Sequence, residues 1–309
     1  MHFRFIAFTI LALLLVQDAV TQVSLFAREG TSLVNGVRLY HKSVGTGEPI
    51  LILHGGPGLN HSYFRPQMGE LARTHRLIFF DQRAHGRSSS PRDTNAVRMK
   101  NFVEDVEAMR KSFGLGGMNL MAHSWGSLVA LSYAFKYPEN LKSLILINPV
   151  AANDSLGRVA AQVQAGRVSR EDSLKRVDLM RSEGFRRRSP AALDRFFRMV
   201  FRSSLHDGRY ADSLTLFFPR DYAAKSENLR HLATDLVNFD LYPSLKAISA
   251  PTLIIRGEAD PTPVSAVEMM ADSIPNARIR TIAKSGHFPF VEQRQQFFES
   301  VRTFLYSIK

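Results

Sequence analysis

Residues 118–127 read MNLMAHSWGS, and this stretch decides the fold of the 309-residue chain. Residues 118–122 have the apolar character of a short buried strand, and residues 128–137 have the pattern of a helix that ends before Pro138. Ser124 therefore lies on a sharp strand–turn–helix junction, which exposes its hydroxyl at the carboxyl edge of a sheet. The stretch indicates a nucleophilic serine, although a helix cap at Ser124 would explain the same residue.

Strand and helix patterns alternate on both sides of this junction. Apolar strands that run without a polar interruption are typical of a parallel sheet buried on both faces. The predicted fold class is therefore α/β, with a mostly parallel central sheet covered by helices on both faces. Strands are expected at residues 34–44, 50–54, 77–80, 118–122, 144–147, 252–255 and 278–282, and helices at 101–113, 128–137, 264–273 and 293–306.

Residues 151–240 interrupt this alternation. Strand-like runs disappear, and residues 154–202 contain twelve Lys or Arg against six Asp or Glu. We expect a helical cap inserted into a catalytic core formed by residues 23–150 and 241–309. The cationic excess would suit anionic substrates or envelope surfaces, but solvated helix faces explain it more simply.

Composition excludes several classes of protein. The chain has no cysteine, so disulfide scaffolds, iron–sulfur clusters and cysteine nucleophiles are ruled out. Histidines show no metal-ligand spacing, and no dinucleotide fingerprint is complete, so we expect neither a metal nor a cofactor. The formal charge is +12, yet no base-stacking motif accompanies it, so nucleic-acid binding is not expected.

The first 22 residues resemble a secretory signal peptide. Arg4 precedes a largely apolar run at residues 6–16, about half of the ~20 residues needed to span a bilayer. Small residues Ala19 and Thr21 suit a cleavage site, with the mature chain starting near Gln22 or Val23. An uncleaved anchor is the alternative. We expect an exported protein, periplasmic or secreted, with no stable membrane span after signal removal.

Two further motifs accompany Ser124. Residues 54–58 read HGGPG directly after a predicted strand, and such a turn leaves backbone N–H groups available for an oxyanion hole. Near the C-terminus, Asp260 and His287 each follow a predicted strand. A serine nucleophile needs a histidine base and an acid that orients it, and the order Ser124, Asp260, His287 is that of α/β-hydrolases. Glu258, which ends the same strand as Asp260, remains an alternative acid.

With these motifs the chain resembles the α/β-hydrolase superfamily, and within it the proline iminopeptidase group. The resemblance rests on HGGPG, on DQRAHGRS at residues 81–88, and on the serine turn at residues 122–127. It implies an α/β-hydrolase fold with a helical cap, and oxyanion-hole N–H groups on Gly56 and Trp125. It also implies loop-supporting roles for His54, Gly55 and Asp81. Two alanines, Ala84 and Ala122, replace expected glycines.

The sequence thus predicts an exported serine hydrolase that acts on a small molecule or short peptide through an acyl-enzyme, with a proline iminopeptidase-like aminopeptidase preferred. An esterase or lactonase on small esters is the alternative, and a non-catalytic ligand-binding hydrolase fold is a more remote one. An aminopeptidase needs a carboxylate for the substrate's ammonium group. The cap offers Glu171, Glu183, Asp207, Asp212, Asp221 and Glu227.

Overall fold

Eight β-strands form one sheet in the computed structural model, which describes residues 27–308. In chain order they are β1 (Ala27–Val34), β2 (Val37–Val44), β3 (Glu48–Leu53), β4 (His75–Phe80), β5 (Met118–His123), β6 (Leu141–Ile147), β7 (Thr252–Gly257) and β8 (Ala277–Ile282). Their order across the sheet is β1-β2-β4-β3-β5-β6-β7-β8. Only the β1–β2 and β2–β4 pairs are antiparallel. The predicted mostly parallel sheet is confirmed.

Helices cover both faces of this sheet. In β3, Leu51 and Leu53 pack into the hydrophobic core on one face, and Ile50 and Ile52 into the core on the other. This alternation is the two-residue period of a strand buried on both sides. The core helices are α1 (Met99–Ser112), α2 (Gly126–Lys136), α9 (Tyr242–Leu245), α10 (Val264–Ser273), α11 (Pro289–Glu292) and α12 (Arg294–Ser307).

The strand predicted at residues 34–44 is wrong at its start. Val34 ends β1, Val37 begins β2, and the two strands form an antiparallel hairpin in which these residues pair. Between them, Asn35 and Gly36 have φ values of 46° and 75°. An Asn-Gly pair adopts such left-handed conformations readily and is a strong signal for a two-residue hairpin turn. That signal divides the segment into two strands.

Between β6 and β7 the chain is helical. We refer to residues 151–240 as the cap segment; it contains α3 (Asp154–Gly166), α4 (Arg170–Arg181), α5 (Glu183–Arg186), α6 (Pro190–Arg202), α7 (Tyr222–Leu229) and α8 (Ala233–Leu236). An isolated bridge between Asn153 and Asp240 joins its two ends. The predicted signal peptide, residues 1–22, lies outside the described residues. Among residues 27–308, no helix is long and apolar enough to cross a membrane.

Candidate active site

The turn between β5 and α2 holds Ser124 in a strained backbone conformation. Its φ of 53° lies in the left-handed region, which residues other than glycine rarely adopt. The Ser124 N–H donates to the Ile147 carbonyl at 3.0 Å, and the Ser124 carbonyl accepts from the Ser127 N–H at 2.9 Å. No side chain caps α2, so the structure does not support Ser124 as a helix cap.

Close packing behind this turn explains which glycine the chain keeps. A Cβ atom at Gly126 would lie 2.7 Å from the His54 carbonyl oxygen, which is too close for any side chain. Ala122 replaces the other expected glycine; it is fully buried within β5. The sequence therefore departs from the usual pattern only at the position where the sheet accommodates a methyl group.

Three side chains from three loops, those of Ser124, His287 and Asp260, form a continuous series of hydrogen bonds. The His287 Nε2 atom lies 2.9 Å from the Ser124 Oγ atom, and His287 Nδ1 lies 2.6 Å from Asp260 Oδ2. Because a carboxylate only accepts hydrogen bonds, Nδ1 carries the proton and Nε2 presents a lone pair to the serine hydroxyl. The second Asp260 oxygen accepts the Thr262 N–H at 2.9 Å. The arrangement suits proton transfer from the serine to the imidazole.

The alternative acid lies elsewhere. Glu258 is exposed, and its Oε2 atom accepts the Lys284 N–H at 3.1 Å. It makes no hydrogen bond to His287. Although both acids follow β7, only Asp260 turns back toward the histidine, so the geometry favours Asp260 as its partner.

Two buried polar side chains hold the loops that carry the acid and the histidine. Asn148, directly after β6, donates to the Gly286 carbonyl at 2.8 Å and accepts the Gly257 N–H at 2.7 Å. Glu292 accepts the Gly286 N–H at 2.7 Å and, through its other oxygen, the His206 N–H of the cap segment at 2.8 Å. Burial raises the pKa of the Glu292 carboxyl. The loop before His287 is thus fixed from both sides.

The HGGPG loop after β3 is oriented through the His54 side chain. The Gln82 N–H donates to His54 Nε2 at 3.0 Å, so the proton lies on Nδ1, which donates to the Gly55 carbonyl at 2.7 Å. Burial lowers the pKa of His54 to about 4, which keeps the ring neutral. Since the Gly55 carbonyl and the Gly56 N–H share one peptide plane, His54 also orients the Gly56 N–H.

Gly56 itself has a backbone conformation suited to glycine. Its φ is 142°, and a Cβ atom there would lie 3.0 Å from the Gly58 nitrogen. Within residues 27–308, the backbone hydrogen bonds use neither the Gly56 N–H nor the Trp125 N–H as a donor. Both groups remain available to a substrate oxygen. Trp125 follows Ser124 directly at the start of α2, where the helix dipole also favours negative charge.

Asp81 joins two neighbouring loops. One carboxylate oxygen accepts from His61 Nδ1 at 2.7 Å, and the other accepts the Arg87 N–H at 2.8 Å. Burial raises the pKa of Asp81, but the hydrogen bonds from His61 and the Arg87 N–H, together with the electrostatic effect of the neighbouring histidines, outweigh it and leave the pKa below its usual value. Ala84, in the same loop, has a φ of 59°, so the expected glycine would relieve backbone strain.

A cavity of about 340 Å³ opens above Ser124, between the sheet edge and the cap segment. Small residues of α3 and aromatic and branched residues of α6 contribute to its lining. Its lining contains no Asp, Glu, Lys or Arg side chain, and the histidines in it are His123 and His287. The lining from the cap segment is Gly157, Ala160, Ala161, Gln164, Phe197, Val200, Phe201 and Ser204.

None of the six cap acids considered for binding an ammonium group lines this cavity. Each is instead paired with a neighbouring cation of the cap segment, mostly at the protein surface. The pairs are Glu171–Lys175 at 2.5 Å, Glu183–Arg187 at 2.6 Å, Asp207–Arg209 at 2.7 Å, Asp212–Arg202 at 3.5 Å, Asp221–Lys225 at 3.0 Å and Glu227–Arg230 at 2.8 Å.

Residues 27–308 contain no group of three or more His, Asp or Glu side chains arranged to hold a metal ion. Sequence reasoning missed three residues that shape the site: Tyr63, Asn148 and Glu292. Asn148 directly follows a predicted strand at the active edge of the sheet, a position that could have revealed it. Tyr63 and Glu292 carry no such signal, because each also contacts a loop far along the chain: Tyr63 contacts His123, and Glu292 contacts His206.

Comparison with known proteins places the chain in a family. Its sequence matches the α/β-hydrolase fold family over residues 48–293, so the chain belongs to that family. Together with the sheet and the serine turn, this defines a serine hydrolase of the peptidase or esterase type. The predicted fold class is confirmed.

Comparison with individual proteins shows which members of the family the chain resembles. The chain is 27% identical to a proline iminopeptidase of Heyndrickxia coagulans, across 85% of this chain and 92% of that protein. A proline iminopeptidase-related protein of Thermus thermophilus aligns with a TM-score of 0.69 and 25% identity, across 91% and 98% of the two chains. A thermophilic esterase from Thermogutta terrifontis has a TM-score of 0.67 and 24% identity, across 91% and 99%. The resemblance to the proline iminopeptidase group is confirmed, and the fold is shared with an esterase.

Proposed function

We propose that the chain hydrolyses small acyl substrates through a Ser124–His287–Asp260 triad. Ser124 Oγ attacks the substrate carbonyl while His287 Nε2 takes its proton, and Asp260 stabilises the resulting imidazolium. The Gly56 and Trp125 N–H groups bind the negative oxygen that forms. Collapse of this intermediate breaks the bond to the leaving group, which takes the proton from His287. Water then releases the acyl group by the same steps.

The lining of the cavity carries the proposal on substrate class. A protonated amine that leaves water needs a carboxylate partner, because an unpaired ammonium is costly to bury. The cavity presents no Asp or Glu, and its polar side chains from the cap segment are Gln164 and Ser204. The acyl group is therefore uncharged, and the function best supported by the geometry is that of an esterase for compact neutral acyl groups.

A prolyl aminopeptidase is the second candidate, and sequence similarity favours it. The proline iminopeptidase relative quoted above matches 85% of the chain, and the HGGPG and DQRAHGRS loops resemble those of that group. This function requires a carboxylate to reach the substrate amine near Ser124. A hydrolase fold retained only for ligand binding is less well supported, since such a protein has no use for a hydrogen-bonded serine, histidine and acid.

Ethyl esters of proline and N-acetylproline distinguish the two enzymes, because they share a leaving group and differ in the amine. We expect the N-acetylated ester to be hydrolysed at least as well as the free-amine ester, since only the latter brings an ammonium group into the cavity. A free-amine preference of ~10²-fold or more in kcat/KM, worth about 2.7 kcal/mol, would instead establish the aminopeptidase.

A single substitution at Gln164 provides a second test of how the cavity selects its substrate. Gln164 donates to Ser204 Oγ at 2.6 Å inside the cavity, and Gln164→Glu would place a carboxylate there at nearly constant volume. The Ser204 hydroxyl can rotate so that it donates to the new carboxylate instead of accepting a hydrogen bond. We expect this variant to shift selectivity toward the free-amine ester by about tenfold or more. Unchanged selectivity between the two esters would contradict the proposal that this cavity binds the acyl group of the substrate.

Export is a separate part of the proposal, and it rests on residues 1–22 alone. The apolar run at residues 6–16 would direct the chain across the inner membrane and then be removed. Mass spectrometry of the protein isolated from its native cells should find a mature N-terminus close to Gln22. A chain that retains Met1 in the cytoplasmic fraction would refute export.

A further inference from the structure

A chain of buried hydrogen bonds connects the HGGPG loop to the loop of the proposed catalytic histidine. The Gly55 N–H donates to the Tyr63 Oη atom at 2.6 Å, and Tyr63 Oη lies 2.8 Å from His123 Nδ1. On the other side of the ring, His123 Nε2 lies 2.8 Å from the His287 carbonyl oxygen. The loops that follow β3 and β8 thus meet the end of β5 through two side chains.

The chemistry of the partners fixes the direction of every bond. A carbonyl oxygen only accepts, so His123 Nε2 carries the proton and donates to His287. A neutral imidazole then has a lone pair on Nδ1, which accepts the Tyr63 O–H. The Tyr63 oxygen in turn accepts the Gly55 N–H. Each donor in this series of bonds has one acceptor, so both side chains have their polar atoms paired.

Both side chains are shielded from water. Each is exposed to no more than 1% of its surface. Burial lowers the pKa of His123 well below its usual value and raises that of Tyr63, so both groups stay neutral and keep this hydrogen-bond direction. Phe288 and Phe290 pack against the His123 ring at 5.3 and 5.6 Å between centroids. An unpaired polar atom in these surroundings is costly.

We propose that Tyr63 and His123 are positioning residues that hold the Gly56 N–H and the His287 ring in a fixed relation across Ser124. The proposal rests on the proposed function, because it assigns these two groups to the reaction. Gly55 is tied on both sides: its N–H goes to Tyr63, and its carbonyl accepts from His54. The same pair anchors the backbone of His287, whose N–H is held by the Ser204 carbonyl at 2.8 Å.

Packing alone does not account for the pair. The ring contacts would be equally satisfied by apolar side chains of similar shape, and a buried phenol and imidazole bring a cost that only their hydrogen bonds offset. The ends of the chain of bonds are backbone groups one residue from the oxyanion donor and at the histidine itself. A misplacement of either by a fraction of an ångström reduces catalysis without preventing folding.

Tyr63→Phe tests the proposal, because it removes one hydroxyl and leaves the ring. We expect kcat for a p-nitrophenyl ester to fall ~10- to 100-fold, with KM nearly unchanged, since the lost alignment matters in the transition state. The rate of labelling by a fluorophosphonate should fall in parallel. Tyr133→Phe is the matched control: Tyr133 is also fully buried, but it donates to Glu107 at 2.8 Å, away from the site.

The outcomes separate the two levels of the argument. Suppose that the wild-type protein is labelled at Ser124 and that the kcat of the Tyr63→Phe variant is within about twofold of the wild-type value. This result would overturn the positioning role alone. A wild-type protein that is not labelled at Ser124 would overturn the proposed function, and the positioning role with it. Equal losses of activity in Tyr63→Phe and Tyr133→Phe would show a general effect of destabilisation and would also count against the proposal.

Variants of His123 give an independent reading. His123→Gln retains an acceptor and a donor, and His123→Leu retains neither, so we expect the Gln variant to keep several-fold more activity. Because the two residues act through one chain of bonds, Tyr63→Phe combined with His123→Leu should cost little more than the worse single change. Losses that multiply, or equal activity of the Gln and Leu variants, would contradict the proposal.

Discussion

Ser124→Ala will abolish labelling by a fluorophosphonate and lower kcat by ~10⁴-fold or more. The reason is that the Ser124 Oγ atom is the proposed nucleophile, and its hydrogen bond to His287 Nε2 at 2.9 Å is the route by which it would lose its proton. Removal of the hydroxyl leaves the oxyanion donors and the substrate cavity in place, so substrate binding should persist.

Ser132→Ala is the matched control for this variant. Ser132 is a buried serine on the same helix, α2, and is not part of the site. Labelling and kcat of the control should remain close to wild type. Steady-state kinetics and labelling with both variants decide the matter, and substantial hydrolysis by purified Ser124→Ala protein would refute the mechanism.

Asp260→Asn will lower kcat by ~10³- to 10⁴-fold, with little change in stability. The carboxylate accepts the His287 Nδ1 proton at 2.6 Å and so keeps the lone pair of Nε2 directed at the serine. An asparagine amide can donate to Nδ1 instead, which would favour the wrong tautomer. His287→Ala should cost as much as Ser124→Ala, because the serine loses its base.

Glu258→Gln separates the two acids at the end of β7. Since the Glu258 side chain is exposed and its carboxylate accepts the Lys284 N–H rather than a bond from His287, we expect the kcat of the variant to match wild type. The comparison is made at one pH with the same ester substrate. A loss in Glu258→Gln together with near-normal activity in Asp260→Asn would transfer the acid's role to Glu258.

The sequence was sufficient for the features that local pattern determines. Continuous apolar runs predicted the strands of the parallel sheet because strands buried on both faces leave no polar alternation. The α10 helix occupies residues 264–273, as its periodicity predicts. By contrast, the β1–β2 hairpin was not resolved, because a strand pattern on both sides of Asn35 masked the turn signal.

The chemistry of the cavity could not be predicted, because it depends on which side of each cap helix faces Ser124. Six acids looked equivalent in the sequence, yet each forms an ion pair within the cap segment and none lines the cavity. The Tyr63–His123 pair was hidden for a related reason. The hydrogen-bond partners of His123 come from loops that lie 60 and 164 residues away along the chain.

Reaction with a carbamoylating p-nitrophenyl ester is a direct test of Ser124 as the nucleophile, because carbamoyl-enzymes of serine hydrolases lose their acyl group slowly. Intact-protein and peptide mass spectrometry, combined with the p-nitrophenol released, would locate and count the adduct. We expect one carbamoyl group per chain, carried by Ser124, and an equal amount of p-nitrophenol. Continued p-nitrophenol release with no adduct, or an adduct on another residue, would contradict it.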